Sequence, residues 1–187
     1  MKKRVDYLIS QKQDLLQAKE SINKVIAEIE DTMGNLFYKS YTNVKEKFEN
    51  IFNELFSGGK AQLSLTEPDK LLTTGVEISA QPPGKKLKKL SLMSGGERAL
   101  TAIALLFAFL KVNPGPFYIL DEIDAALDDS NVVRFAEFIN RYSKYVQFVI
   151  ITHRRYMMNE IDSIYGISME ESGISKLVSL KVNEMTY

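Results

Sequence analysis

The chain has no cysteine, so disulfides and thiolate metal sites are excluded, and a reducing cytosol is the expected home. It has no excess of either charge: 24 Lys and Arg balance 24 Asp and Glu. Global charge therefore argues for neither nucleic acid nor a membrane surface, and only a local patch could serve such a partner. No apolar run is long enough to span a bilayer. The longest, Ala99 to Leu110, reads as a core helix. The opening KKRVDYLISQKQDLL has no apolar core of the kind a secretory signal needs. There is also no GxxxxGK[ST] phosphate loop. Gly58–Gly59–Lys60 and Gly84–Lys85 both lack the earlier glycine at the required spacing and the following Ser or Thr.

What is present suffices for one sizeable core with an appended element, at 187 residues and 45% hydrophobic content. The first thirty-one residues are charged, Gln-rich and free of Gly and Pro. Leu8, Leu15, Ile22, Ile29 and Leu36 recur every seven residues. That stripe reads as a coiled-coil seam, against the alternative of an amphipathic surface helix; Lys12 and Lys19 weaken its second line. A chain that begins inside a seam is expected to be cut from something longer. Gly34 is expected to loosen the helix, which resumes with Phe37, Tyr41, Phe48, Phe52 and Phe56 as a packing stripe and ends at Ser57–Gly58–Gly59.

Beyond it, AQLSLTE (61–67) and GVEISAQ (75–81) alternate like antiparallel strands, and 82–90 reads as a loop. An apolar helix is predicted over 94–112, a strand over 117–120, a helix over 130–142 and a strand over 147–152. A short helix at 155–161 and a hairpin at 163–182 follow. Helices alternating with wholly apolar strands imply an α/β fold around a partly parallel, covered sheet flanked by helices.

Chemistry concentrates where those elements begin and end. FYILDEIDAALDD carries Asp121 and Glu122 at the carboxyl tip of a strand, where α/β sheets place ligands. Adjacent acids there suit phosphoryl transfer: the first can hold Mg²⁺, and the second can orient and deprotonate water. His153, the sole histidine, ends the second apolar strand in QFVIITH and could touch a phosphate oxygen beside that pair. Asp128 precedes a helix, so an N-cap role and a functional role both stand. Ser94, Gly95 and Gly96 open a helix and can offer hydroxyl and N–H groups to an anion. Ser94 and Glu97 have capping-box spacing, and Arg98 follows on the first turn.

Together these segments are similar to a known family. LSLMSGGER resembles the ABC-type signature motif. FYILDEIDAALD resembles a Walker B strand, catalytic glutamate and D-loop in one run, and ITH resembles the switch-histidine motif. Their order and spacing resemble the C-terminal head lobe of an SMC (structural maintenance of chromosomes) protein. AQPPGKKLKKLSLMSGGERALTAIALL is similar to the bacterial chromosome-condensation type.

The resemblance implies a coiled-coil segment over 1–34 and the C-terminal lobe of an ABC-type ATPase head over 35–187. It implies ATP and Mg²⁺ as ligands, with Walker A supplied by the N-terminal lobe of the same protein and with the isolated chain inactive. Asp121 would support Mg²⁺, Glu122 would be the general base, and His153 would contact the γ-phosphate. Ser94, Gly95, Gly96 and Glu97 would meet the nucleotide of a second head in an ATP-dependent homodimer, and Asp128 would act across that interface. A kleisin winged-helix domain would dock near Gly173–Val182, where alternation also leaves a sheet edge for pairing. DNA is a further implied partner, and Lys85, Lys86, Lys88 and Lys89 form a local basic cluster that reads equally well as a solvated loop. The implied setting is the bacterial cytoplasm, on the chromosome, without a membrane. The alternatives are a non-catalytic kleisin-docking module, and the head lobe of a Rad50/RecN-type DNA-repair ATPase.

Overall fold

The computed structural model describes residues 2–171 and 173–181. Met1, Ser172 and residues 182–187, and with them Val182 at the end of the expected hairpin, lie outside the described residues. The chain divides into two compact units, Met1–Asn43 with Leu65–Val76, and Val44–Ser64 with Glu77–Tyr187.

Helix α1 (Lys2–Leu55) is unbroken, and its residues up to Asn43 dominate the first unit. Gly34 does not loosen it, contrary to the sequence expectation. A glycine costs a helix about 1 kcal/mol relative to alanine, too little to break so long a run. A Cβ at Gly34 would have Leu71 Cδ1 as its near neighbour at 3.9 Å. The seven-residue stripe is present and bare, with Leu15 69% and Ile22 59% exposed. The 65–76 segment is closed on itself: Thr66 N–H donates to the Gly75 carbonyl and Gly75 N–H to Thr66 Oγ1, both at 2.9 Å.

In the second unit, the last turns of α1 bury Phe48, Ile51, Phe52, Leu55 and Phe56, and Phe52 stacks on Phe56 at 4.1 Å. The helix ends in paired backbone bonds, Gly58 N–H to Asn53 O at 2.8 Å and Ser57 N–H to Glu54 O at 3.3 Å, with Ser57 at φ 52°. This is a Schellman closure with serine in the left-handed position. Gly59 is needed next, because a Cβ there would run into the Gln81 carbonyl.

Strands β1 (Lys60–Leu65), β2 (Val76–Gln81) and β3 (Lys88–Lys89) make a small sheet in that order. The antiparallel β2–β3 pair turns the end of the expected loop into a strand, because Ser79 and Ala80 align with Lys89 and Lys88.

The helix α2 (Gly95–Val112) and helix α3 (Asp129–Ser143) hold the aromatic core. Phe107 lies 5.0 Å from Phe138, 6.1 Å from Phe135 and 5.9 Å from Phe148, mostly edge-on or tilted. Phe107, Phe135 and Phe138 are fully buried, and each such ring stabilises by about 1.5–3 kcal/mol over leaving it in water.

Strands β4 (Phe117–Asp121) and β5 (Gln147–Ile151) pair in parallel, in register from Phe117 with Gln147 to Asp121 with Ile151. Among the described residues this sheet is covered on one face. Phe117, Ile119, Val149 and Ile151 alternate along the other face and are 48–62% exposed. The strands are apolar on both faces, yet in this chain only one face meets α2 and α3 residues such as Phe107 and Tyr142. The short α4 (Arg155–Asn159) stops two residues before the expected Ile161. Last comes the antiparallel hairpin β6 (Ser163–Glu171) and β7 (Ile174–Lys181).

Candidate functional site

The parallel pair sets the first cluster. Because β4 and β5 run in the same direction, their carboxyl ends finish side by side, and Glu122 N–H donates to the Ile151 carbonyl at 2.9 Å. Asp121 and Glu122 thus emerge at one edge, with His153 two residues beyond Ile151, and all three side chains are exposed. Glu122 has φ 45°, a left-handed conformation that costs a non-glycine residue about 1–2 kcal/mol. Such strain at a strand tip aims a side chain and is found at functional sites.

The second cluster is the turn that opens α2. Ser94 is extended and caps the helix. Its Oγ accepts from Glu97 N–H at 3.4 Å and donates to Glu97 Oε2 at 3.0 Å, while Ser94 N–H also reaches Glu97 Oε2 at 3.4 Å. The capping box read from the spacing is formed. Lys85 Nζ donates to Glu97 Oε1 at 2.8 Å and holds that carboxyl below the ordinary glutamate range, with the Ser94 bonds adding to the effect. A Cβ on Gly95 would meet nothing within 4 Å, so this face of the turn is open. Arg98 is exposed on the first turn of α2.

Asp128 lies beside the second cluster. It caps α3, accepting from Asn131 N–H at 3.0 Å, Ser130 Oγ at 2.8 Å and Asn131 Nδ2 at 3.0 Å. These bonds, the Asn131 N–H first, hold its carboxyl below the ordinary aspartate range. Its Oδ2 also faces Gly96, where a Cβ would come within 2.5 Å of it. Asp128 is therefore a helix cap and a neighbour of the glycine turn at once.

Sequence reasoning missed the residues that tie the segments together. Asp124 is 1% exposed and accepts a 2.6 Å bond from Thr152 Oγ1. The Arg154 guanidinium reaches the carbonyls of Leu127 and Ala125 and the carboxylate of Asp129, and its Nε–H is buried with no acceptor among the described residues. The available signals were the third acid of DEID and the basic pair after ITH. Both looked like surface charge until the fold brought them together.

Among the described residues no three His, Cys, Asp or Glu side chains cluster as a protein metal cage. A lone exposed carboxylate such as Asp121 still fits Mg²⁺, which keeps its waters and binds through one or two carboxylates plus substrate phosphates. No helix among the described residues is long and apolar enough to cross a membrane.

Residues 4–176 match the family described as the RecF/RecN/SMC N terminal domain. The chain is 68% identical over 181 residues to the chromosome partition protein Smc of Halothermothrix orenii, an alignment covering 97% of this chain and 15% of that protein. It is similar, at TM-score 0.75 and 46% identity, to a chain solved in work on ATP-driven dimerization and DNA-stimulated activation of SMC ATPases, covering 80% of this chain and 91% of that one. It is also similar, at TM-score 0.77 and 45% identity, to the Smc head domain with an extended coiled coil bound to the C-terminal domain of ScpA, derived from Pyrococcus furiosus. There 97% of this chain and 46% of the other are covered. The chain thus spans about a seventh of the length of the curated relative.

Proposed function

The chain belongs to the RecF/RecN/SMC family, and on that premise we propose that it is the C-terminal lobe of a bacterial SMC ATPase head, half of an ATP-hydrolysing site that works in chromosome condensation and segregation. The family description names an N-terminal domain. The C-terminal assignment rests on motif content: the chain carries the signature-like turn, acidic strand tip and histidine, and has no phosphate loop. Residues 1–34 are then the coiled-coil segment and 35–187 the lobe.

The observation that carries this reading is the bare apolar face of β4–β5. Phe117, Ile119, Val149 and Ile151 lie uncovered on the same strands whose tips bear the acids. Parallel strands are almost always covered on both faces, so this face calls for a covering layer that the chain's described residues do not provide. On this reading the lobe that brings the phosphate loop provides it.

In the assembled head, Asp121 is the residue that would hold Mg²⁺, which supplies charge neutralisation on the phosphates. Glu122, aimed by its left-handed backbone, accepts the proton of the water that attacks the γ-phosphate. His153 donates to the γ-phosphate from the adjoining strand. The open N-terminus of α2 at Ser94–Gly96, with Glu97 holding the cap, receives the γ-phosphate of ATP bound to a second head, and Asp128 beside Gly96 lies at that interface. Two heads therefore engage only around ATP.

The relative solved with the C-terminal domain of ScpA supports a kleisin as a further partner. On this chain the β6–β7 hairpin offers the surface: Tyr165, Ile167, Leu177 and Val178 are all more than half exposed. DNA contact by the lysine cluster at 85–89 belongs to the same proposal, as does a chromosome-associated cytoplasmic location. The hairpin also favours a second reading, in which this chain alone is a kleisin-docking module.

ATP turnover by this chain co-expressed with the N-terminal lobe, alongside the same pair carrying Glu122→Gln, tests the proposal. Activity in the pair, lost in Glu122→Gln while ATP-dependent dimers persist, is the expected result. Turnover by this chain alone, or undiminished turnover in Glu122→Gln, overturns it. Kleisin binding by a pair that never hydrolyses ATP favours the second reading.

A further inference from the structure

The residues on either side of His153 are both fastened to the segment that follows Glu122. Thr152 Oγ1 donates to the buried Asp124 at 2.6 Å, and Arg154 N–H donates to the same hydroxyl at 3.0 Å. The Arg154 guanidinium then spreads over that segment. Nη2 donates to Leu127 O at 3.2 Å and to Ala125 O at 3.4 Å, and Nη1 reaches Asp129 Oδ1 at 3.4 Å. These acceptors bracket Asp128, whose carboxylate faces Gly96. His153 stands exposed between two anchored neighbours.

We infer that Arg154 is a positioning residue for ATP hydrolysis, a brace that couples the place of His153 to the conformation of the 125–129 segment beside the glycine turn. The inference rests on the ATPase reading above. Its physical basis is the guanidinium itself. A planar fork can satisfy two carbonyls and a carboxylate presented by one short segment at the same time, whereas an ammonium is a point charge that cannot span them. Any shift of residues 125–129 on meeting a second head is thereby passed to the backbone on which His153 sits. Thr152 and Asp124 form the inner strut of the same brace, a 2.6 Å bond whose carboxylate end is buried, so it resists independent movement.

The test uses the full-length protein that carries this chain, comparing wild type, Arg154→Lys, Arg154→Gln and Glu122→Gln. The expected result is that both Arg154 variants lose about tenfold to a hundredfold in kcat, the range that follows from misplacing a catalytic group. KM for ATP stays within about threefold of wild type, because the phosphate loop that holds ATP belongs to the other lobe and the loss falls on kcat. Arg154→Lys keeps the charge beside Asp129, so the test does not depend on the folding of Arg154→Gln. The inference is overturned if either variant keeps kcat within about threefold of wild type. It is equally overturned if kcat and the melting temperature fall together in Arg154→Gln and Arg154→Lys restores both, since a purely structural brace behaves that way. Failure of the ATPase reading has a different signature: wild type without turnover, or Glu122→Gln with undiminished turnover.

Discussion

A Cβ placed on Gly96 would lie 2.5 Å from Asp128 Oδ2 and 3.1 Å from Asn131 Nδ2. The glycine turn that opens α2 and the carboxylate that caps α3 are therefore packed against each other with no room for a methyl group. Gly96 is glycine here for space, since it does not have the left-handed backbone recorded for Gly58 or Gly84.

Gly96→Ala should destabilise the chain by about 1–3 kcal/mol, the usual range for forcing an extra methyl into a packed site. Gly95→Ala, facing open space, should cost far less. Denaturant midpoints of the two variants check this, and equal losses would refute the steric argument.

Asp128→Ala should cost about 0.5–2 kcal/mol through the lost α3 cap, while Asp128→Asn should retain most of it, because Asn and Asp cap equally well. The pH dependence separates them further. The folded chain holds the Asp128 carboxyl below its ordinary value. Its stabilisation is therefore full above the ordinary aspartate range, about pH 4, and is lost as pH falls through the lowered folded value. Asp128→Asn should flatten that part of the acid unfolding curve.

Glu122→Gly and Glu122→Ala should both abolish turnover in the assembled head, yet differ in stability. At φ 45° an alanine keeps the left-handed penalty that glycine avoids, so Glu122→Gly should be the more stable by about 1 kcal/mol. Thermal unfolding of the pair decides it; a more stable alanine variant would mean that the backbone relaxes.

Ile119→Lys and Val149→Lys alter side chains 62% and 48% exposed in this chain. They should change its own stability by no more than about 0.5 kcal/mol. If the bare sheet face receives the N-terminal lobe, they should nevertheless block co-purification of the two lobes. Undisturbed association would place that lobe elsewhere.

Disrupting the Lys85–Glu97 pair should be mild. Lys85 is more than half exposed, so Lys85→Ala should cost about 0.2–1 kcal/mol and lose its effect as salt rises. Glu97→Ala should cost more, because the carboxylate also closes the capping box with Ser94. Unfolding midpoints at low and high salt measure both.

The amino-acid order alone determined most of the elements and the ends where chemistry collects, because these are local matters; β3, inside the expected loop, needed its pairing with β2. Helical spacing, the Ser94–Glu97 box, the glycines after Phe56 and the run of apolar residues before Asp121 each act within a few residues. Three things were decided only by tertiary structure. The bare face of β4–β5 was illegible, because Ile119 and Leu120 are equally apolar in sequence and only packing separates the exposed from the covered. The closeness of Gly96 to Asp128 and the Arg154 brace join residues twenty-five or more positions apart. A local pattern fixes which groups a segment offers; which groups they meet depends on how α2, α3 and the two parallel strands pack, and that is a property of the whole core.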